Sequence, residues 1–190
     1  DFVTVAKSYV PSKKNDVFQI LMICSLKDFK GVWEFLGLSE LLRSFQFELV
    51  LNASNEMINK TFSNIKLPLN INIYPATKNV HKFYQQADLL LNLSHPDKWI
   101  ETFGLTVLEA MHYGKPAIVP IVGGITELVE DNVNGYKIDV NNMNELKNKI
   151  LFIAENQEHY YSLSKQALKK SEFFNFKTMT ETVDKILDTV

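Results

Sequence analysis

Segments of strand length and segments of helix length alternate along this chain, and no other feature constrains its fold as strongly. Residues 17–24 (VFQILMIC) form a continuous apolar run, and 31–42 then carry Val32, Phe35, Leu36, Leu38, Leu41 and Leu42 at helical spacing. Residues 47–51, 69–74, 88–93, 116–120 and 136–140 read as further strands. Helices are expected at 54–62 with Ser54 as N-cap, at 80–87, at 104–113 closed by Gly114, and at 124–130. Asn134-Gly135 is expected to turn the chain into the sixth strand. Three helices follow, at 143–155, 159–171 and 178–190. Strands alternating with helices imply an α/β, Rossmann-like three-layer domain of about six parallel strands. Its central strands are apolar nearly throughout, as burial on both faces requires. Residues 1–16 lack periodicity and contain PSKKND, the pattern of a linker or inter-domain segment, so the domain is expected to span 17–190.

A chain of 190 residues with 46% apolar and 22% charged residues supports one hydrophobic core. It is not a disordered tail, a fibre or a disulfide-stapled mini-protein. The net charge of −2 gives no electrostatic case for a nucleic-acid partner, so an anionic ligand must be held by local groups. Arg43 is the only arginine, which leaves lysines and backbone N–H groups for that task. Cys24 is the only cysteine, in keeping with a reducing, cytoplasmic location. No apolar run approaches the ~20 residues that span a bilayer. The start, Asp1-Phe2-Val3, is neither an initiator methionine nor a signal peptide, and the chain is expected to be cut from a longer one.

Ligands of open parallel sheets bind at the carboxyl ends of strands near the switch in strand order. The loops after Cys24, Tyr74, Leu93 and Pro120 are therefore the places to look. At 101–114 (ETFGLTVLEAMHYG), Gly104 opens a helix whose first N–H groups form an anion site, with no side chain to obstruct a phosphate. Glu109 is the only charged side chain between Gly104 and Gly114, roughly 7–8 Å along the axis, a suitable distance for a sugar hydroxyl of a phosphate-capped nucleotide. A plain surface glutamate is the competing reading. Glu101 either caps the helix or projects into the cleft. Ser25, Lys27 and Lys30 lie in the loop after the first strand, and Gly123-Gly124 bring backbone close to a ligand or simply make a turn. His81, His95, His112 and His159 have no metal-ligand spacing, so no metal is expected. Trp33 reads as packing, and Trp99, in the 94–100 loop, as packing or the wall of a pocket. Lys165, Lys169 and Lys170 before Phe173, Phe174 and Phe176 form either a peripheral membrane contact or a solvated helix face followed by core aromatics.

Together, Glu101-Thr-Phe-Gly-Leu-Thr-Val-Leu-Glu109-Ala-Met, Gly114-Lys-Pro, Gly123-Gly-Ile-Thr-Glu127, Asn134-Gly135-Tyr136, Phe174-Asn-Phe176 and Lys30-Gly31 resemble retaining nucleotide-sugar glycosyltransferases of the group-1 (family 4) type. The resemblance covers about residues 17–190. It implies the C-terminal, donor-binding half of a GT-B fold, with an N-terminal acceptor domain as its partner in the parent chain. Glu109 would bond the ribose hydroxyls and Glu101 the donor sugar. Lys30 and the amides of Phe103, Gly104 and Leu105 would hold the diphosphate, beside Gly123 and Gly124. The base would lie near Tyr74, Pro75 and Ala76. Lys30 and Glu101 are the implied catalytic residues.

The implied reaction moves a sugar from a nucleoside diphosphate sugar with retention. It uses no cofactor or metal and stabilises charge on the departing diphosphate. The implied setting is bacterial surface polysaccharide or glycolipid synthesis at the inner face of the membrane. The alternatives are a sugar-nucleotide epimerase on the same fold and a nucleotide-binding module without catalysis. Two departures stand out. Ser25 occupies the position where the family places an arginine, with Lys27 nearby, and the 94–100 loop is longer than usual.

Overall fold

The computed structural model describes residues 17–174. The linker reading of 1–16, the helix expected at 178–190 and Phe176 lie outside the described residues. Six strands, β1 (Gln19–Cys24), β2 (Gln46–Leu51), β3 (Ile71–Tyr74), β4 (Leu89–Leu91), β5 (Ala117–Val119) and β6 (Gly135–Lys137), form one sheet in the order β3-β2-β1-β4-β5-β6. All adjacent pairs are parallel; β1 runs beside β2 from Gln19↔Gln46 to Cys24↔Leu51 and meets β4 at Ile20↔Leu89. The order reverses between β1 and β4, so the crevice for a ligand opens at their carboxyl ends.

Strand alternation divides the core between two faces. Ile20, Met22, Leu89, Leu91 and Ile118 face α1 (Val32–Leu41), α2 (Asn55–Phe62) and α5 (Met143–Glu155). Leu21, Leu90, Ala117 and Val119 face α3 (His81–Gln86) and α4 (Leu105–His112). The last helix, α6 (Gln157–Ser171), gives Tyr160 and Leu163 to the first cluster and Ala167 to the second. Ser54 caps α2 by accepting from the Met57 N–H, and Gly114 takes the left-handed conformation (φ 64°) after α4, as their positions predict.

Two expectations need correction. The expected helix at 124–130 is a short 3-10 turn, Gly124–Glu127, because the Asn134 side chain claims the Glu130 N–H at 2.7 Å. The expected turn into the sixth strand is present at 132–134, where Asn134 is also a buried brace through a bond to the Leu128 carbonyl and Asn132 is left-handed. The fourth strand stops at Leu91, because the Asn92 side chain accepts from the Ser94 N–H and turns the chain.

Candidate functional site

A cavity of about 260 Å³ lies at the switch point, lined by residues 22–25 of β1 and its loop, by Lys30, by 91–94, and by Glu101, Gly104, Leu105 and Thr106. Gly31 brings its two walls together. It adopts φ 76°, and a β-carbon there would fall 2.3 Å from the Leu93 carbonyl oxygen, so only glycine lets the start of α1 sit against the loop after β4. The 3-10 turn Asp28–Lys30 just before it delivers Lys30 across the crevice to Glu101, Nζ to Oε2, at 2.6 Å. The two side chains are 14% and 20% exposed, and Ser94 Oγ adds a 3.3 Å bond to the same carboxylate oxygen.

Glu101 therefore projects into the crevice and does not cap α4, whose N-cap is Gly104 at φ 83° with no side-chain bond. Glycine at 104 has a packing reason in the structure. A β-carbon there would strike Ile125, 2.5 Å away, so the residue lets the 3-10 turn pack under the helix start. The paired glycines at 123 and 124 likewise approach backbone. Their β-carbons would fall 2.5 Å from the Glu101 carbonyl oxygen and 1.9 Å from that of Thr102. They fix the segment that carries Glu101, and the expected second α-helix N-terminus beside the ligand is not formed.

The 94–100 loop is anchored on α1. The His95 N–H donates to the Phe29 carbonyl, and its Nε2 lies 3.0 Å from Glu34 Oε1. This carries Trp99 onto Phe29 as a stacked pair (5.6 Å) and over Lys30 Nζ at 5.0 Å. Burial pushes the Cys24 thiol up to about 12, with the nearby Lys30 charge pulling the other way, so this pocket-lining cysteine is a thiol at neutral pH and no nucleophile.

Glu109 lies elsewhere on α4, in an aromatic cluster beside α3. The Tyr84 hydroxyl donates to Glu109 Oε2 at 2.6 Å, Tyr84 stacks on Tyr113 at 5.7 Å, and the Tyr113 hydroxyl meets His81 Nδ1 at 2.5 Å. Burial, then the Glu109 carboxylate, raise the Tyr84 hydroxyl far above its ordinary range, so it stays protonated and donates. Glu109 is half-buried, which is not the free surface position of the competing reading.

Of the residues singled out from sequence, the structure brings Ser25, Lys30, Glu101, Gly104 and Leu105 into one crevice. Lys27 does not join them: it is the extended, exposed residue before the 3-10 turn. Phe103 is exposed and lies against Phe174 at 6.1 Å. Phe174 packs on the core and Phe173 is 62% exposed. Tyr74 ends edge strand β3, packs on Phe83, and with Pro75 and Ala76 lies two strands from the crevice.

The four histidines each have a partner: Tyr113, Glu34, the Leu108 carbonyl and Tyr136. Among the described residues no three metal-ligating side chains cluster, and no helix is long and apolar enough to cross a membrane. Sequence reasoning missed Asn92, Ser94 and Thr106, which line the crevice. Polar residues ending an all-leucine strand were the available signal. Tyr84 offered none, since its role depends on which helix lies beside α4. A larger cavity, about 660 Å³, lies at the opposite end of the sheet among Glu40, Arg43, Gln46 and 66–70. It has no partly buried ion pair, and Leu69 on its wall is fully exposed. The crevice is the better candidate because its groups are fixed.

The sequence profile of the family "Glycosyl transferases group 1" matches residues 10–170. An uncharacterized glycosyltransferase of Methanocaldococcus jannaschii is 27% identical over 181 residues, which are 95% of this chain and 46% of that protein. Anabaena HepE, solved in complex with UDP-glucose, superposes with a TM-score of 0.76 at 21% identity, over 92% of this chain and 50% of its own. The C-terminal domain of a group 1 glycosyl transferase family protein from Francisella tularensis superposes with a TM-score of 0.70 at 16% identity, over 89% of this chain and 96% of its own. The chain thus spans about half the length of the M. jannaschii relative and of HepE, and nearly all of the isolated Francisella domain.

Proposed function

The chain belongs to the group 1 glycosyl transferases, and from that premise we propose that it is the donor-binding domain of a retaining enzyme that moves sugar from a nucleoside diphosphate sugar. The observation that carries the reading is the Lys30–Glu101 pair, held at 2.6 Å where α4 begins. Lys30 and the first amides of α4 converge on one spot, a cation and a helix N-terminus suited to a diphosphate. Glu101 beside them accepts from sugar hydroxyls once the phosphate has taken over Lys30. Glu109, little more than one turn along the same helix, accepts from the ribose. Lys30 then supports catalysis by offsetting charge on the leaving diphosphate. The HepE complex with UDP-glucose supports the class of ligand.

At about 260 Å³ the crevice is smaller than the ~300–1,000 Å³ pockets that bury drug-sized ligands. A nucleotide sugar would be held against one wall, and a second domain in the parent chain would supply the acceptor and the opposing wall. The proposed setting is the synthesis of a surface polysaccharide or glycolipid at the cytoplasmic face of the membrane.

Calorimetry with UDP-, GDP-, ADP- and CMP-sugars, each with and without EDTA, tests the proposal. One of the three diphosphate sugars is expected to bind best, the CMP-sugar weakest, and EDTA to change nothing. Absence of binding by all three, or a strict Mg²⁺ or Mn²⁺ requirement, would overturn it.

A further inference from the structure

The Tyr84–Glu109 bond lies beside the proposed site and has no part in the donor-binding reading. Tyr84 is fully buried, and its ring is fixed by stacking on Tyr113 and by the second-face core. Core packing alone would be served equally well by phenylalanine. Instead a hydroxyl is buried there, and a buried hydroxyl without a partner is costly. Its partner is a single oxygen of Glu109, at 2.6 Å. Among the described residues no other side chain or backbone group is within hydrogen-bonding distance of this carboxylate. Glu109 is thereby tethered at Oε2, while Oε1 has no hydrogen-bond partner among the described residues.

A tethered carboxylate has fewer orientations to lose when it accepts a bond from a ligand, so its affinity depends on the tether. We propose that Tyr84 is a positioning residue for Glu109, its hydroxyl holding Oε2 so that Oε1 is presented to a ribose hydroxyl of the nucleotide. This rests on the reading of Glu109 as the ribose acceptor. It adds a specificity consequence: the preference for ribose over deoxyribose depends on a residue that never touches the ligand. Tyr84 suits that task because burial and the Glu109 carboxylate raise its hydroxyl well above the ordinary range, so it is a neutral donor at neutral pH.

The test measures UDP, GDP, ADP and CDP against their 2′-deoxy counterparts on the 190-residue chain and on Tyr84→Phe, Glu109→Ala and the double variant. For the best-binding base, the unaltered chain should prefer the ribonucleotide by roughly tenfold, the scale of one hydrogen bond to a charged group. Glu109→Ala should abolish that preference. Tyr84→Phe should reduce it by about threefold or more, a part of the scale of one hydrogen bond to a charged group, with affinity for the deoxynucleotide little changed. In the Glu109→Ala background Tyr84→Phe should have no further effect.

If Glu109→Ala leaves the preference intact, or no preference exists, the ribose reading has failed and the proposal falls with it. If Glu109→Ala removes the preference and Tyr84→Phe does not, the ribose reading stands and the positioning role is wrong. A Tyr84→Phe chain that no longer unfolds cooperatively would show that the hydroxyl serves stability alone, which also overturns the proposal.

Discussion

One helix carries two unlike regions of the candidate site. Around the start of α4 the chemistry is ionic and open: Lys30 and Glu101 meet across a crevice, with the aromatic pair Phe29–Trp99 at its rim. Little more than one turn on, the site is more enclosed, with the Glu109 carboxylate held by a neutral buried tyrosine and backed by a second ring and a histidine. In the first region two charged groups satisfy each other and must be separated by a ligand. In the second, the carboxylate is tethered on one side and its other oxygen is left for the ligand. The difference predicts that the crevice discriminates by charge and the cluster by hydroxyl geometry.

The largest effect separating them is expected from Lys30→Met. It removes the cation and leaves Glu101, only 20% exposed, facing the diphosphate. Loss of a charge-assisted bond costs about 1.5–3 kcal/mol, so affinity for nucleoside diphosphates should fall tenfold or more, while the unphosphorylated nucleoside is unaffected. Equal losses for both ligands in calorimetry would erase the distinction between the regions.

Glu109→Ala should show the converse pattern. Nucleoside and nucleoside diphosphate should weaken together, by about 1–3 kcal/mol.

Glu101→Gln sharpens the comparison within the crevice. The neutral amide releases Lys30, so a plain nucleoside diphosphate should bind as well as before or slightly better, while the nucleotide sugar binds a few-fold more weakly. Parallel weakening of both ligands would place Glu101 among the phosphate contacts.

The smallest effect is on alkaline stability, to which both regions contribute. Cys24 is raised to about 12 and Tyr84 is raised further, in each case chiefly by burial. The folded chain therefore keeps protons that the unfolded chain releases as pH rises through about 8.5 for a thiol and about 10 for a tyrosine. Stability is highest below those values and declines above them. In urea unfolding from pH 8 to 11, Cys24→Ser should flatten the earlier part of the decline and Tyr84→Phe the later part. Identical profiles for all three chains would contradict both burial arguments.

Much of this was legible in the sequence, for reasons specific to particular residues. The sheet was readable because buried parallel strands such as 17–24 and 88–93 are apolar on both faces, and helices such as 54–62 carry their own caps. Lys30, Glu101 and Gly104 were readable because they stand at strand ends or a helix start, positions that local pattern defines. Gly104 was read as room for a ligand and the Gly123-Gly124 pair as that or a plain turn; at all three, and at Gly31, a β-carbon would meet another part of the protein. Such neighbours are set by tertiary packing, which spacing along the chain does not encode.

Tyr84 was invisible for the same reason. The crossover from edge strand β3 back to central strand β4 must pass over the second face, and this lays α3 beside α4. Only then do residues 25 positions apart share a bond. Lys27 and Tyr74 were legible only as positions near strand ends: the turn at 28–30 leaves Lys27 exposed and Tyr74 ends β3 at the sheet edge, so neither lines the crevice.

The central claim is that one ligand spans both regions, diphosphate at Lys30 and ribose at Glu109. A crystal structure of the chain with its best-binding nucleoside diphosphate tests this directly. The expected result has phosphate oxygens within hydrogen-bonding distance of Lys30 Nζ and the α4 amides, the Lys30–Glu101 contact lengthened, and a ribose hydroxyl on Glu109 Oε1. A nucleotide seated in the cavity by Arg43 and Lys66, or one whose ribose lies away from Glu109, would contradict it.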